Sequence, residues 1–126
     1  MHEAAIALNL IGAVERRIAA DPGTRGERVA AIHVRVGELA GVSTDALAFA
    51  FDCLAVGTAL QGARLVFDHV ALSVRCDACG RTTPVQDLVF RCAACGSART
   101  QVASGRELEV RTLELVDEGE VAHARG

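Results

Sequence analysis

Four of the five cysteines stand in two close pairs, Cys76-x2-Cys79 and Cys92-x2-Cys95, with twelve residues between the pairs. Two thiolates three positions apart on a tight turn can hold one metal together. A second such turn completes a tetrahedron of sulfur with Zn–S near ~2.3 Å. Each pair is followed by glycine, Gly80 and Gly96, which relieves crowding where the chain turns back, so that backbone amides can point at sulfur. The expectation is one structural zinc held by Cys76, Cys79, Cys92 and Cys95. Iron would suit four thiolates equally well, and spacing does not separate it from zinc; a redox dithiol is the third chemistry open to the pairs. A closed set of four sulfurs leaves no open position for a catalytic metal.

The other reactive side chains are scattered. Cys53 falls in an apolar stretch and reads as a small core residue. His33 alternates onto a polar strand face and reads as solvent-exposed, and His69 beside Asp68 reads as a strand-surface pair. His123 lies near the chain end. No glycine-rich phosphate loop and no nucleophile elbow occurs, so the chain is not expected to be an enzyme.

Composition narrows the classes further. A net charge of −3 over 126 residues gives no electrostatic footprint for wrapping nucleic acid. No stretch approaches the ~20 apolar residues that span a bilayer, and Met1-His2-Glu3 is unlike a signal peptide. The chain is expected in the cytosol, where thiols stay reduced and paired cysteines serve metals. With 51% hydrophobic but only 3% aromatic residues, the core must be aliphatic.

The elements that position these residues follow from periodicity. Residues 4 to 20 repeat Ile6, Leu10, Val14 and Ile18 on one helical face, widened by Ala7 and Ile11. Asp21-Pro22-Gly23 stops the helix. Residues 29 to 36 alternate as a strand with Ala30, Ile32, Val34 and Val36 on one face. Ser43 or Thr44 can cap a second helix lined by Leu47, Phe51 and Leu54. A strand from Arg64 to Val74 leads into the cysteine segment. A last strand follows Gly105, and the apolar phase shifts from Leu108 and Val110 to Leu113 and Leu115, which predicts a bulge or an edge. The economical packing is an α/β fold: a three-stranded sheet covered on one face by two helices, with an inserted zinc-ribbon subdomain built on the four paired cysteines. The expected boundaries are 1–74 plus 103–116 for the discontinuous α/β domain, 75–102 for the ribbon and 117–126 for a flexible tail.

Met1-His2-Glu3, Val34-Arg35-Val36-Gly37-Glu38-Leu39, the paired knuckles and Gly105-Arg106-Glu107-Leu108 together, in this order from Met1 to about Leu115, resemble the HypA/HybF hydrogenase-maturation family. The resemblance implies a nickel metallochaperone that delivers Ni(II) to the large subunit of [NiFe]-hydrogenases with the maturation GTPase HypB. It implies His2 as the key nickel ligand, Met1 and Glu3 as its companions, and Zn(II) on the four cysteines. Some relatives also supply urease, which admits urease accessory proteins as partners. The segment Ala40-Gly41-Val42-Ser43 brings no further carboxylate. Coordination chemistry agrees with a terminal site. A terminal amine, deprotonated backbone amides and the His2 imidazole can lie in one plane, which suits Ni(II).

Two other function classes compete. A zinc-ribbon adaptor for nucleic acid or a transcription complex would use Arg75, Arg81, Arg91 and Arg99, but a ribbon without exposed aromatics offers no stacking platform. An electron carrier would hold iron in the knuckles.

Overall fold

The structure is a computed structural model, in which residues 2–24 and 27–117 are described. The elements run α1 (Glu3–Ala20), a short 3-10 turn (Pro22–Thr24), β1 (Glu27–Gly37), α2 (Thr44–Leu54), β2 (Arg64–Val70), β3 (Ser73–Cys76), β4 (Thr82–Pro84), β5 (Thr100–Ser104) and β6 (Leu108–Asp117). They form two three-stranded sheets, ordered β2-β1-β6 and β4-β3-β5. The expected α/β class therefore holds: two helices, a three-stranded sheet and a smaller sheet in the segment of the cysteines. The expected tail lies outside the described residues from position 118 onward.

The chain divides into two compact units. The first comprises Met1–Val34, Val42–Phe67 and Val110–Gly126, and the second Arg35–Gly41 and Asp68–Glu109. In the first, α1 packs on α2. The core gathers Ala7, Leu10, Ile11 and Val14 of α1, Val29, Ala31, Ile32 and Val34 of β1, Leu47 and Phe51 of α2, and Leu60. Burying a side chain of this size contributes about 1.5–3 kcal/mol, so these aliphatic stripes hold the helices without any metal. Ser43 caps α2, its hydroxyl oxygen accepting the Ala46 N–H at 3.2 Å.

The second unit is knitted by the two central motifs. Gly37 and Leu39 donate their N–H groups to the Glu107 and Gly105 carbonyls, both at 2.7 Å, and Glu38 donates to Val70 at 3.1 Å. The chain passes so close that a Cβ on Gly37 would overlap the Gly105 carbonyl, which is why glycine stands there. The Glu38 carboxylate accepts the Leu72 N–H at 3.1 Å, and Glu107 accepts the Gly105 N–H at 2.7 Å. Its own amide, then that of Gly105, hold the Glu107 carboxyl below the usual range, with the Arg35 charge adding to them.

Two expectations change and a third is met. The single strand over 64–74 is two strands, broken at Ala71 and Leu72. There the backbone is satisfied by other partners: the Ser104 hydroxyl on the Ala71 carbonyl, Glu38 on the Leu72 N–H and the Val85 N–H on the Leu72 carbonyl. Once these groups are paired elsewhere, no ladder is needed through them. In β1 the buried apolar side chains are Val29 and Ala31, then Ile32, Val34 and Val36, with Ala30 only half-buried. The last strand is an edge, and its Leu108 and Val110 are exposed while Leu113 and Leu115 are half-buried.

Candidate metal centres

The four cysteines converge. Cys76 ends β3, and the β3–β5 register brings Thr100 opposite it. Each knuckle closes by the same local bonds. Gly80 donates its N–H to the Cys76 carbonyl at 2.9 Å, and Gly96 donates to Cys92 at 2.8 Å. Both glycines have positive φ, 77° and 79°, a conformation that costs a side chain little only when there is none. The Cys79 N–H points at the Cys76 sulfur and the Cys95 N–H at the Cys92 sulfur, each at 3.4 Å. The two knuckles are thus near copies of one another.

The four Sγ atoms lie within 4.8 Å of one another. Across the knuckles, Cys76 is 3.5 Å from Cys95 and Cys79 is 3.6 Å from Cys92. A tetrahedron with Zn–S of ~2.3 Å has sulfur–sulfur edges of about 3.8 Å, so the donor set fits one tetrahedral zinc. Electrostatics point the same way. The Cys95 amide, then that of Ala94, draw the Cys92 thiol down to about 6, and the Cys79 amide draws down Cys76. Cys95 goes the other way, to about 11, because the Cys76 thiol, burial and the remaining thiols outweigh the Ser97 amide that lowers it. Four sulfurs this close cannot all ionise alone. A divalent cation is what lets them.

The N-terminal residues are placed differently. Met1 lies outside the described residues. His2 is exposed at the N-cap of α1, and its side chain makes no capping bond. Glu3 is buried, and its Oε2 accepts the Ser43 N–H at 3.1 Å. The chain's terminal amine, then that Ser43 amide, hold the Glu3 carboxyl at about 2.

Cys53 and His33 depart from expectation. Cys53 is exposed on the outer side of α2, not in the core, because Leu47 and Phe51 take the buried face. His33 is only partly exposed, and its Nε2 lies 2.6 Å from Glu114 Oε2. His69 is exposed, as expected. A cleft of about 530 Å³ runs between α1 and β6, lined by Val14, Arg17, Ile18, Arg111 and Leu113, and none of the expected metal ligands lines it. Among the described residues the four cysteines are the one cluster able to hold a metal, and no helix is long and apolar enough to cross a membrane.

Residues 1–115 match the family described as "Hydrogenase/urease nickel incorporation, metallochaperone, hypA". The chain belongs to the HypA family. It is 41% identical over 119 residues to the hydrogenase maturation factor HypA of Roseiflexus sp., covering 94% of each chain. It is 40% identical over 115 residues to that of Chlorobaculum tepidum, covering 91% of this chain and 99% of the relative. Among solved structures, a solution structure of HypA protein superposes with a TM-score of 0.71 at 19% identity, covering 93% of this chain and 98% of the other. The Ni metallochaperone HypA from Helicobacter pylori gives 0.65 at 19%, covering 92% and 98%. The fold is shared, and the family is one of metallochaperones rather than catalysts.

Within the family frame, the central motifs acquire a role that sequence reading missed. Arg35, Gly37, Glu38, Gly105 and Glu107 hydrogen-bond, pair or pack closely within the second unit. They are structural. The signal was present in the sequence as a glycine-acid pair beside each strand end, but only contacts reveal what each acid accepts.

Proposed function

We propose that this chain carries Ni(II) for the maturation of a [NiFe]-hydrogenase. It takes the metal at Met1, His2 and Glu3 and passes it to the large subunit in concert with the maturation GTPase HypB, in the cytoplasm. The cysteine segment 75–102 is the Zn(II)-held ribbon, and 1–74 with 103–116 forms the nickel-binding domain. Nickel incorporation into urease belongs to the family description, so urease accessory proteins are a second set of partners.

The observation that carries this reading is His2. Its imidazole is exposed at the chain start and is not spent on capping α1. The His2 carbonyl accepts the Ile6 N–H at 3.0 Å, whereas the first N–H groups of a helix have no partner in its ladder. Amide nitrogens, imidazole and terminal amine together supply the planar nitrogen set that Ni(II) prefers over a tetrahedron. A helix N-terminus repels cations. An ionised Glu3 beside it offsets that repulsion, and loss of amide protons on binding reduces the net charge further.

His2→Ala in protein with an unmodified N-terminus is the test. Nickel titration by calorimetry should lose specific binding, while zinc content and Tm stay unchanged. Full-strength nickel binding by the variant would move the site to His33, His69 or Cys53 and defeat the terminal reading.

A further inference from the structure

The cysteine unit carries a feature that its metal chemistry does not use. Between β4 and the second knuckle, the Val89 N–H donates to the Gln86 carbonyl at 3.0 Å and closes a four-residue turn. Its central residues, Asp87 and Leu88, have φ of 53° and 58°. Two left-handed residues in succession define the turn that Asn-Gly ordinarily fills, because a Cβ is crowded there. Leu88 adopts it nonetheless while 67% exposed, so burial returns nothing for the strain. The turn is clamped on both sides. The Val85 N–H donates to the Leu72 carbonyl at 3.0 Å, and the Thr100 hydroxyl donates to the Phe90 carbonyl at 2.7 Å. The result is three consecutive large apolar side chains, Leu88, Val89 and Phe90, all exposed.

The segment that carries the turn is unevenly charged. Segment 75–102 holds Arg75, Arg81, Arg91 and Arg99 against only Asp77 and Asp87, within a chain of net charge −3. All four arginines are exposed, and among the described residues none has a carboxylate partner. Strain maintained at an exposed position is a feature of contact sites.

We propose that the turn Gln86–Val89 is a docking tip that seats Leu88 and Val89 in an apolar, carboxylate-edged cleft of the apoprotein receiving the metal. This rests on the carrier reading above. The size of the tip selects that occupant. Three side chains cover a few hundred Å² at most, far below the ~1,600 Å² of a stable interface. Such a contact suits a client that must be released, and it is too small for a permanent partner. A second copy would also bring arginines against arginines. For nucleic acid, Leu88 and Val89 provide no π-face, and Phe90 alone is no stacking platform.

Leu88→Gly is the informative variant, since it removes the tip and gives the left-handed position the residue that favours it. Tm should stay level or rise, with zinc and nickel contents unchanged. Val89→Ser serves as a second variant. Zinc-loaded protein is titrated against the purified nickel-free large subunit of a [NiFe]-hydrogenase. Each variant should bind at least about tenfold more weakly, the loss expected for a central apolar anchor, and wild-type binding should weaken with salt. Undiminished binding by both variants overturns the tip alone. A wild-type protein that binds nickel but not the subunit overturns the carrier reading's client and the tip with it. A wild-type dimer returned to monomer by Leu88→Gly, or a labelled RNA oligonucleotide bound in place of the subunit, would assign the tip to that occupant and overturn the proposal.

Discussion

The Glu3 carboxylate accepts the Ser43 N–H at 3.1 Å across 40 residues of chain, tying the first residue of α1 to the N-cap of α2. One side chain thereby anchors the proposed nickel-binding start to the helix pair. The same Ser43 caps α2 through its hydroxyl, so its backbone and side chain serve two helices at once.

That anchor is pH-dependent, with a definite sign. The Glu3 carboxyl is at about 2 in the folded chain, against ~4.3 for an unfolded glutamate. Its stabilisation is complete above ~4.3 and is lost as pH falls toward about 2. Tm of wild type should therefore exceed that of Glu3→Gln at neutral pH, and the two curves should converge toward about pH 2. A constant gap down to that pH would mean that ionisation of Glu3 is irrelevant to the anchor.

Metal removal should separate the two units. Changing Cys76, Cys79, Cys92 and Cys95 to Ser should cost one zinc per chain and collapse the amide fingerprint over the β3–β5 sheet. Helical circular dichroism should persist, because the α1–α2 core buries its stripes without metal. Stoichiometric zinc in the quadruple variant would refute the cluster.

Opposite outcomes are expected for two residues on different faces of α2. Leu47 is fully buried, and Leu47→Ala should destabilise by about 2–5 kcal/mol. Cys53 is exposed, and Cys53→Ser should stay within ~0.5 kcal/mol of wild type. Urea denaturation measures both; a large loss for Cys53→Ser would put it back in the core.

Acid should release the two metals in sequence. Protons compete with nickel for the amine and imidazole nitrogens, so acid should empty the terminal site. Four converging thiolates bind zinc more tightly than a terminal nitrogen set binds nickel, so zinc should persist after nickel has left. An added residue before Met1 converts the amine to an amide and should sharply weaken nickel binding, while a C-terminal tag should not. Titration of extended and unextended protein with nickel decides it, and equal affinities would remove the amine from the ligand set.

What the sequence determined is local. Knuckle spacing is set by the tetrahedron that two short turns must build, so all four cysteines were legible from their intervals. The α1 stripe was legible because a helix repeats every few residues, and the cap of α2 was narrowed to Ser43 or Thr44 because a hydroxyl reaches only the next turn. The edge character of the last strand showed in its shift of phase. The tertiary structure decided everything that joins distant positions: Glu3 to Ser43, Glu38 to Leu72, Gly37 against Gly105, and His33 to Glu114. It also turned Cys53 outward, broke the strand at Ala71 and Leu72, and held Leu88 in a left-handed turn. Periodicity describes which face of one element is apolar. It carries no information about which distant backbone group a carboxylate will satisfy, and a buried or half-buried polar group takes whichever partner the packed chain brings within reach.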